Sequence, residues 1–145
     1  MARIDKEVIV NSSIERIVNY ISEQSNWPQF WSSLIEISDV QPPPNSGYKA
    51  KYEYKMAGMR FNDTGEFTEV VPNHWIVVQT KGGIQSKITC TFRSMENKTR
   101  VTLTIEYKVP VPLLGKMVEF VIVKMNDQEA ELVMSNLQAR FLMDH

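Results

Sequence analysis

The apolar residues near the end of the chain recur at three- and four-residue intervals, which is the spacing of one face of a helix. The pattern begins after Pro112, whose fixed φ suits the first turn of a helix, and continues to Phe141 without a proline or glycine after Gly115. From the rise per residue of an α-helix, we expect a helix roughly 40 Å long. Its apolar face contains Leu114, Met117, Val118, Val121, Ile122, Met125, Leu132, Val133, Leu137 and Phe141.

Most of the chain before this helix alternates apolar and polar residues, as half-buried strands do. Short turns rich in glycine, proline and asparagine separate the alternating segments. We therefore predict a first strand and then six strands joined as an antiparallel meander, which together make a seven-stranded sheet with one apolar and one charged face. The predicted strands cover 3–10, 35–40, 48–56, 60–71, 74–80, 85–93 and 99–109.

Two short helices are predicted between the first and second strands. Ser12 and Glu15 have the spacing of a capping box, and apolar residues follow them at helical intervals. Asn26 repeats the start signal, with Pro28 in the first turn of the second short helix. The order of elements is strand, two helices, six strands and a long helix, which predicts a single α+β domain over 1–145.

The widths of these elements predict a space inside the fold. Seven strands about 4.8 Å apart span roughly 30 Å, whereas one helix is about 10 Å wide. The long helix therefore leaves part of the apolar face uncovered, even when twist curls the sheet around it. The remaining space is either a cavity for a small ligand or is filled by bulky side chains. The bulky residues that could fill it are Tyr48, Tyr52, Tyr54, Phe61, Phe67, Trp75, Phe92 and Tyr107.

Four local motifs carry a resemblance to a known family. They are Asn26-Trp27-Pro28-Gln29-Phe30-Trp31, Gly65-Glu66-Phe67-Thr68-Glu69-Val70 followed by Pro72, Thr99-Arg100-Val101-Thr102, and Pro110-Val111-Pro112-Leu113-Leu114-Gly115. Together with the order of elements, they resemble the helix-grip fold of the START/Bet v 1-like (SRPBCC) superfamily, and more closely its polyketide cyclase/dehydrase branch. The superfamily includes lipid and sterol carriers, aromatic polyketide cyclases, plant hormone receptors and quinone-binding proteins. It has no shared catalytic residue that could be transferred to this chain.

The resemblance implies a curved sheet wrapped around the C-terminal helix, with a cavity between them as the place of function. Our leading hypothesis is a soluble binding protein that holds a hydrophobic small molecule there, lipid-like or polycyclic, with binding driven by burial of apolar surface. The residues expected to contact the ligand are Tyr52, Tyr54, Phe61, Phe67, Trp75, Phe92, Leu103, Tyr107, Met117, Val121 and Met125. The tyrosines among them suit a mostly apolar molecule with one or two polar atoms.

Two other hypotheses remain open. In the first, the protein is an enzyme of the polyketide cyclase/dehydratase type, and polar groups in the cavity move protons. Asp63 is the candidate acid or base, because it shares strand parity with Phe61 and Phe67, although a bulge near Gly65 would turn it outward. In the second, the interior is filled and the outer surface binds protein partners.

Composition and charge argue against several classes of protein, among them nucleic-acid-binding and membrane-spanning proteins. With 145 residues and a net charge of −1, the chain has no basic surface for nucleic acid, and no segment approaches the length of a membrane span. Cys90 is the single cysteine, which suits a reducing compartment, so we expect a cytoplasmic protein. His74, His145 and Cys90 lack the spacing of a metal site, and no cofactor motif is present. The oligomeric state is left open.

Overall fold

The structure is a computed structural model that describes residues 2–40, 49–56, 59–82, 84–108 and 111–142, and the side chains of 56, 59 and 111–119 lie outside this description. The strands are β1 Ala2–Val10, β2 Leu34–Ser38, β3 Lys49–Met56, β4 Met59–Val71, β5 Trp75–Gly82, β6 Ser86–Met95 and β7 Lys98–Tyr107. The helices are α1 Ile14–Ser22, a 3₁₀ helix Gln24–Gln29 and α2 Val111–Arg140. The predicted roles of Tyr48, His145 and the Met117 side chain fall outside the described residues.

The strands form one antiparallel sheet in the order β1-β7-β6-β5-β4-β3-β2. The meander predicted from the alternating pattern is therefore confirmed, and β1 joins its far end by pairing with β7 along its whole length. Alternation also sets the two faces of the sheet. Along β7, Val101, Leu103 and Ile105 are buried, whereas the residues between them are partly exposed.

The two short helices begin at other residues than the sequence pattern indicates. Ser13, and not Ser12, caps α1, and its hydroxyl accepts a hydrogen bond from the Arg16 backbone amide at 3.5 Å. The second is a 3₁₀ helix that starts before Asn26. The Asn26 side chain does not cap it, because its amide donates to the Tyr20 carbonyl oxygen at 3.0 Å and so ties the two helices together.

Trp27 is the centre of the core at the end of the sheet near the 3₁₀ helix, and only 1% of it is exposed. Its indole N–H donates to the Ile21 carbonyl oxygen at 2.8 Å, which satisfies the one polar atom of the side chain. Its ring stacks on Trp31 with centroids 5.7 Å apart, and it packs against Phe30 and Phe67 at 5.9 and 6.0 Å. Trp27 thus joins α1, the 3₁₀ helix and β4 at one point.

α2 lies on the concave side of the sheet and is nearest to β1. Polar contacts hold it on two sides. The Gln138 amide donates to the Ile9 carbonyl oxygen at 3.0 Å, and the Asn136 amide donates to the Phe30 carbonyl oxygen at 3.3 Å. The helix therefore covers one side of the concave face and leaves space over the central strands, as the widths of the elements predict.

The buried face of α2 matches the predicted one only in part, because Ile122, Val133 and Leu137 are buried as predicted. Its buried residues are Ile122, Ala130, Val133, Met134 and Leu137. Val121 and Met125 are 50% and 41% exposed, and Leu132 is exposed as well. The apolar positions of this helix form two separate rows, and only one row faces the sheet. The predicted placement of Val121 and Met125 on the inner face is therefore wrong.

Candidate functional site

A cavity with a volume of about 100 Å³ lies between the concave face of the sheet, the 3₁₀ helix and α2. Apolar side chains line most of it. Ile4, Ile105 and Ile88 form one wall, because the strand register makes them neighbours across β1, β7 and β6. The other apolar lining residues are Trp27, Trp31, Leu34, Ile84 and Ala130.

A row of hydrogen-bonding side chains forms the adjoining wall. The register places Thr80, Ser86 and Tyr107 side by side on β5, β6 and β7, two residues along each strand from the apolar row. The Thr80 hydroxyl donates to the Ile84 carbonyl oxygen at 3.0 Å and lies 2.6 Å from the Ser86 hydroxyl. The cavity therefore has an apolar end and a polar end.

Asp63 on β4 adds a carboxylate to the polar end. It is only 5% exposed, so the predicted bulge does not turn it outward. Its carboxylate accepts hydrogen bonds from the Tyr54 hydroxyl at 2.7 Å and from the Ile84 backbone amide at 3.2 Å. Burial and the hydrogen bond to Asp63 raise the pKa of the Tyr54 hydroxyl well above its usual range. Tyr54 is thus held as a neutral donor to the carboxylate.

Tyr52 reaches across the cavity from β3 to the 3₁₀ helix. Its hydroxyl donates to the side-chain oxygen of Gln24 at 2.6 Å, and both residues are buried. The ring lies over Gly65 on the neighbouring strand, where any side chain would collide with it. Gly65 therefore gives Tyr52 the room to make this hydrogen bond.

Tyr107 differs from these two tyrosines. It is only 3% exposed, and its hydroxyl has no hydrogen-bond partner among the described residues. Burial raises the pKa of this hydroxyl, and the neighbouring Asn126 side chain acts in the opposite direction without meeting hydrogen-bond geometry. Tyr107 therefore presents a buried O–H group to the cavity.

A second carboxylate reaches the cavity from α2. One oxygen of Glu129 accepts hydrogen bonds from the Ser33 backbone amide at 2.9 Å and from the Ser32 hydroxyl at 3.1 Å. These bonds hold α2 to the loop before β2, at the edge of the cavity. Glu129 comes two helical turns after the buried Ile122, which places it on the same side of α2.

The family model described as polyketide cyclase/dehydrase and lipid transport matches residues 1–141 of the chain. The protein belongs to this family. The resemblance stated from the sequence is therefore confirmed. No curated protein matches the chain.

Solved structures share the fold of this family member at low sequence identity. A protein from Thermus thermophilus is similar with a TM-score of 0.85 and 16% identity, over 97% of each chain. A START superfamily protein from Mycobacterium smegmatis has a TM-score of 0.76 and 18% identity over 96% of each chain. An aromatase/cyclase from Streptomyces sp. R1128 has a TM-score of 0.73 and 10% identity, over 96% of this chain and 94% of its own. These likenesses confirm the helix-grip α+β fold.

The residues predicted to contact a ligand fall into three groups in this family member. Tyr52, Tyr54 and Tyr107 line the cavity. Phe67, Phe92 and Leu103 are buried in the core but are not among the described lining residues, and Phe61 is half-buried with its ring stacked on Tyr54. Trp75, Val121 and Met125 are exposed.

Trp75 needs a separate correction, because it was predicted to lie in the interior and is 37% exposed. Side chains alternate along β5, and Ile76 and Val78 are the residues that point into the core. Trp75 is the first residue of β5 and follows the turn after Val71. The large apolar side chain of Trp75 suggested an interior position, but size alone does not determine which face of a strand a residue occupies.

Five polar lining residues were not identified from the sequence as ligand contacts: Thr80, Ser86, Asn126, Glu129 and Ser33. The first two lie on strand positions of the same parity as buried apolar residues, which was a usable signal. Asn126 lies four residues from both Ile122 and Ala130, and Glu129 lies four residues from Val133, so the helical period could have placed them inward.

Three further observations concern metal ions, cations and membranes. Within the described parts of the chain, no group of three or more histidine, cysteine or acidic side chains could hold a metal ion. Arg60, Arg93 and His74 are exposed, so none of them supplies a cation to the cavity. No helix in those parts is both long enough and apolar enough to cross a membrane.

Cys90 is expected to be chemically inert in the folded protein. Burial raises the pKa of its thiol to about 12, so about one thiol in ten thousand is ionised near pH 8. We expect iodoacetamide to alkylate Cys90 at least a hundredfold more slowly in the native protein than in denaturant, as followed by intact-mass measurement. Rapid alkylation of the native protein would contradict the described burial.

Proposed function

We propose that the protein binds a hydrophobic small molecule in the cavity between the sheet and α2. The observation that carries this proposal is the lining itself, since apolar side chains surround most of the space and hydrogen-bonding groups are confined to one end. Such a lining is typical of small-molecule sites, in which apolar burial supplies affinity and a few polar groups set orientation. The family and the fold agree with a hydrophobic-ligand-binding or polyketide cyclase-like protein.

The size of the cavity limits the ligand. One water molecule needs roughly 10–15 Å³ of such volume, so about 100 Å³ accommodates a molecule with on the order of ten non-hydrogen atoms. A small fused-ring compound or a short lipid-like chain fits this description.

Filling the cavity is expected to weaken ligand binding strongly without unfolding the protein. Ala130 is buried on α2 and lines the cavity, so Ala130→Leu places three additional carbon atoms in the space. We expect at least a tenfold loss of affinity for naphthol in a calorimetric titration. Ala139 lies on the exposed side of the same helix, and Ala139→Leu is the matched control that should bind like the wild type. Equal affinity of all three proteins would contradict the proposal.

A second candidate function is catalysis of the polyketide cyclase/dehydratase type, and Asp63 is the observation that favours it. Its carboxylate is buried, lines the cavity and is held by Tyr54 and the Ile84 amide, which is an arrangement suited to moving a proton on a bound substrate. The Tyr54 hydroxyl is neutral and already donates its hydrogen bond to Asp63. Asp63 is therefore the residue that would act as acid or base.

Asp63→Asn separates the two candidates. If the protein is an enzyme, we expect this variant to lose at least a hundredfold in turnover of a poly-β-keto thioester while its affinity for naphthol changes little, because the shape of the side chain is kept. Turnover is followed by mass spectrometry of the products. A wild-type protein that binds naphthol but does not convert the thioester would favour the binding function alone.

The remaining hypothesis, a filled interior with function on the outer surface, is disfavoured by the cavity itself. The cytoplasmic location expected from the lone Cys90 remains a prediction.

A further inference from the structure

The polar end of the cavity contains one hydroxyl group, that of Tyr107, for which the described residues supply no hydrogen-bond partner. The cavity tyrosines Tyr52 and Tyr54 donate to Gln24 and Asp63, at 2.6 and 2.7 Å. The hydroxyl of Tyr107 is buried too, yet it has no hydrogen-bond partner among the described residues. A buried polar group without a partner costs stability, so such groups are rare unless they serve a purpose.

The residue beside Tyr107 supplies an acceptor. The single hydroxyl hydrogen of Thr80 is directed to the Ile84 carbonyl oxygen, so the short contact between Thr80 and Ser86 requires Ser86 to donate. The Ser86 oxygen then keeps its capacity to accept. Because Ser86 and Tyr107 are direct neighbours in the strand register, an acceptor and a donor lie side by side on the cavity wall.

Charge determines which ligand group fits these two partners. Asp63 and Glu129 both line the cavity, and none of the described lining residues is a lysine, arginine or histidine. An anionic group such as a carboxylate would be buried beside two carboxylates without a cation, which is unfavourable. A neutral hydroxyl group accepts from Tyr107 and donates to Ser86, and it satisfies both at once.

We propose that Tyr107 and Ser86 form a subsite that recognises the hydroxyl group of a neutral, otherwise apolar alcohol or phenol. The apolar body of this ligand lies against the wall formed by Ile4, Ile88 and Ile105. This inference rests on the proposed binding function and specifies its ligand class. It assigns Tyr107 a role in ligand selection. Packing of the ring in the core does not by itself give the hydroxyl a hydrogen-bond partner.

The test uses naphthol and naphthalene, which differ by one hydroxyl group, with naphthoate as a charged third probe. We expect the wild-type protein to bind naphthol about tenfold more tightly than naphthalene, since the two new hydrogen bonds are made in a buried site. Tyr107→Phe should reduce this preference at least threefold while the affinity for naphthalene is kept. Ser86→Ala should act in the same direction, and naphthoate should bind more weakly than naphthol to the wild type.

The matched control is Tyr20→Phe, the same substitution at a tyrosine whose hydroxyl donates to Gln29 outside the cavity. It should leave the preference for naphthol unchanged. Thermal unfolding without ligand gives a second readout. Tyr107→Phe removes an unpaired buried hydroxyl, so the unfolding midpoint should stay the same or rise. A clear fall would show that the Tyr107 hydroxyl is a structural hydrogen-bonding group and would overturn the proposal.

The outcomes separate the two proposals. If neither naphthol nor naphthalene binds to the wild-type protein, the proposed function fails and the subsite fails with it. If both bind with equal affinity, or if Tyr107→Phe keeps the full preference for naphthol, the binding function stands and the hydroxyl subsite is wrong. Tighter binding of naphthoate than of naphthol would also overturn the inference, because it would require a cationic partner.

Discussion

Replacing Trp27 with alanine is expected to lower the free energy of unfolding by about 3–5 kcal/mol, the largest effect of any single substitution considered for this protein. The side chain is almost completely buried and packs against Phe30, Trp31 and Phe67. The change leaves a large void and frees the Ile21 carbonyl oxygen from its hydrogen bond. Because domains of this kind are stable by only about 5–15 kcal/mol, chemical denaturation should show a marginally folded variant.

The matched control for Trp27→Ala is Trp75→Ala, which removes the same number of atoms from an exposed position. We expect this variant to lose less than about 1 kcal/mol, since surface substitutions away from buried networks have small effects. Similar losses for the two tryptophans would contradict the described packing, in which Trp27 lies in the core between the helices and the sheet and Trp75 lies outside it.

Gly65→Ala is expected to lower the free energy of unfolding by about 1–3 kcal/mol, although alanine is intrinsically better suited than glycine to a strand. A Cβ atom at this position would lie 2.7 Å from the Tyr52 hydroxyl oxygen and closer still to the ring. The ring cannot move aside freely, because it is buried and its hydroxyl is bonded to Gln24. We also expect weaker naphthol binding, since the displaced ring enters the cavity.

A double-mutant cycle with Tyr52→Ala tests this explanation. Once the ring is removed, Gly65→Ala should cost nothing or stabilise the protein slightly, so the two substitutions should be strongly non-additive when measured by urea denaturation. The same loss of stability in both backgrounds would show that the collision with Tyr52 is not its cause.

Much of the fold was predictable because it depends on local periodicity. Two-residue alternation identified the strands, and short turns between them left few topologies besides a meander. The predicted starts of the short helices were less accurate. The Asn26 side chain donates a hydrogen bond to the Tyr20 carbonyl oxygen instead of capping a helix, and no local sequence pattern encodes this bond. The predicted face of α2 was wrong in part, because Val121 and Met125 repeat at helical spacing as the buried residues do and yet are exposed.

The candidate site was predicted only in part. Tyr52, Tyr54, Tyr107 and Asp63 were named from strand parity, and all of them line the cavity. The hydrogen-bond partners of these residues were not predicted, because a bond such as that between Tyr52 and Gln24 joins residues far apart in the sequence. The difference between Tyr107 and the other tyrosines depends on these partners, and it becomes visible only in three dimensions.

The most direct measurement is native mass spectrometry of the protein isolated from its own cells, with the Ala130→Leu variant prepared in the same way. We expect the wild-type protein to carry one neutral, mostly apolar molecule with a hydroxyl group, which is released on denaturation, and we expect the variant to carry none. A wild-type mass that equals the bare chain, together with an identical result for Ala130→Leu, would contradict ligand binding in this cavity.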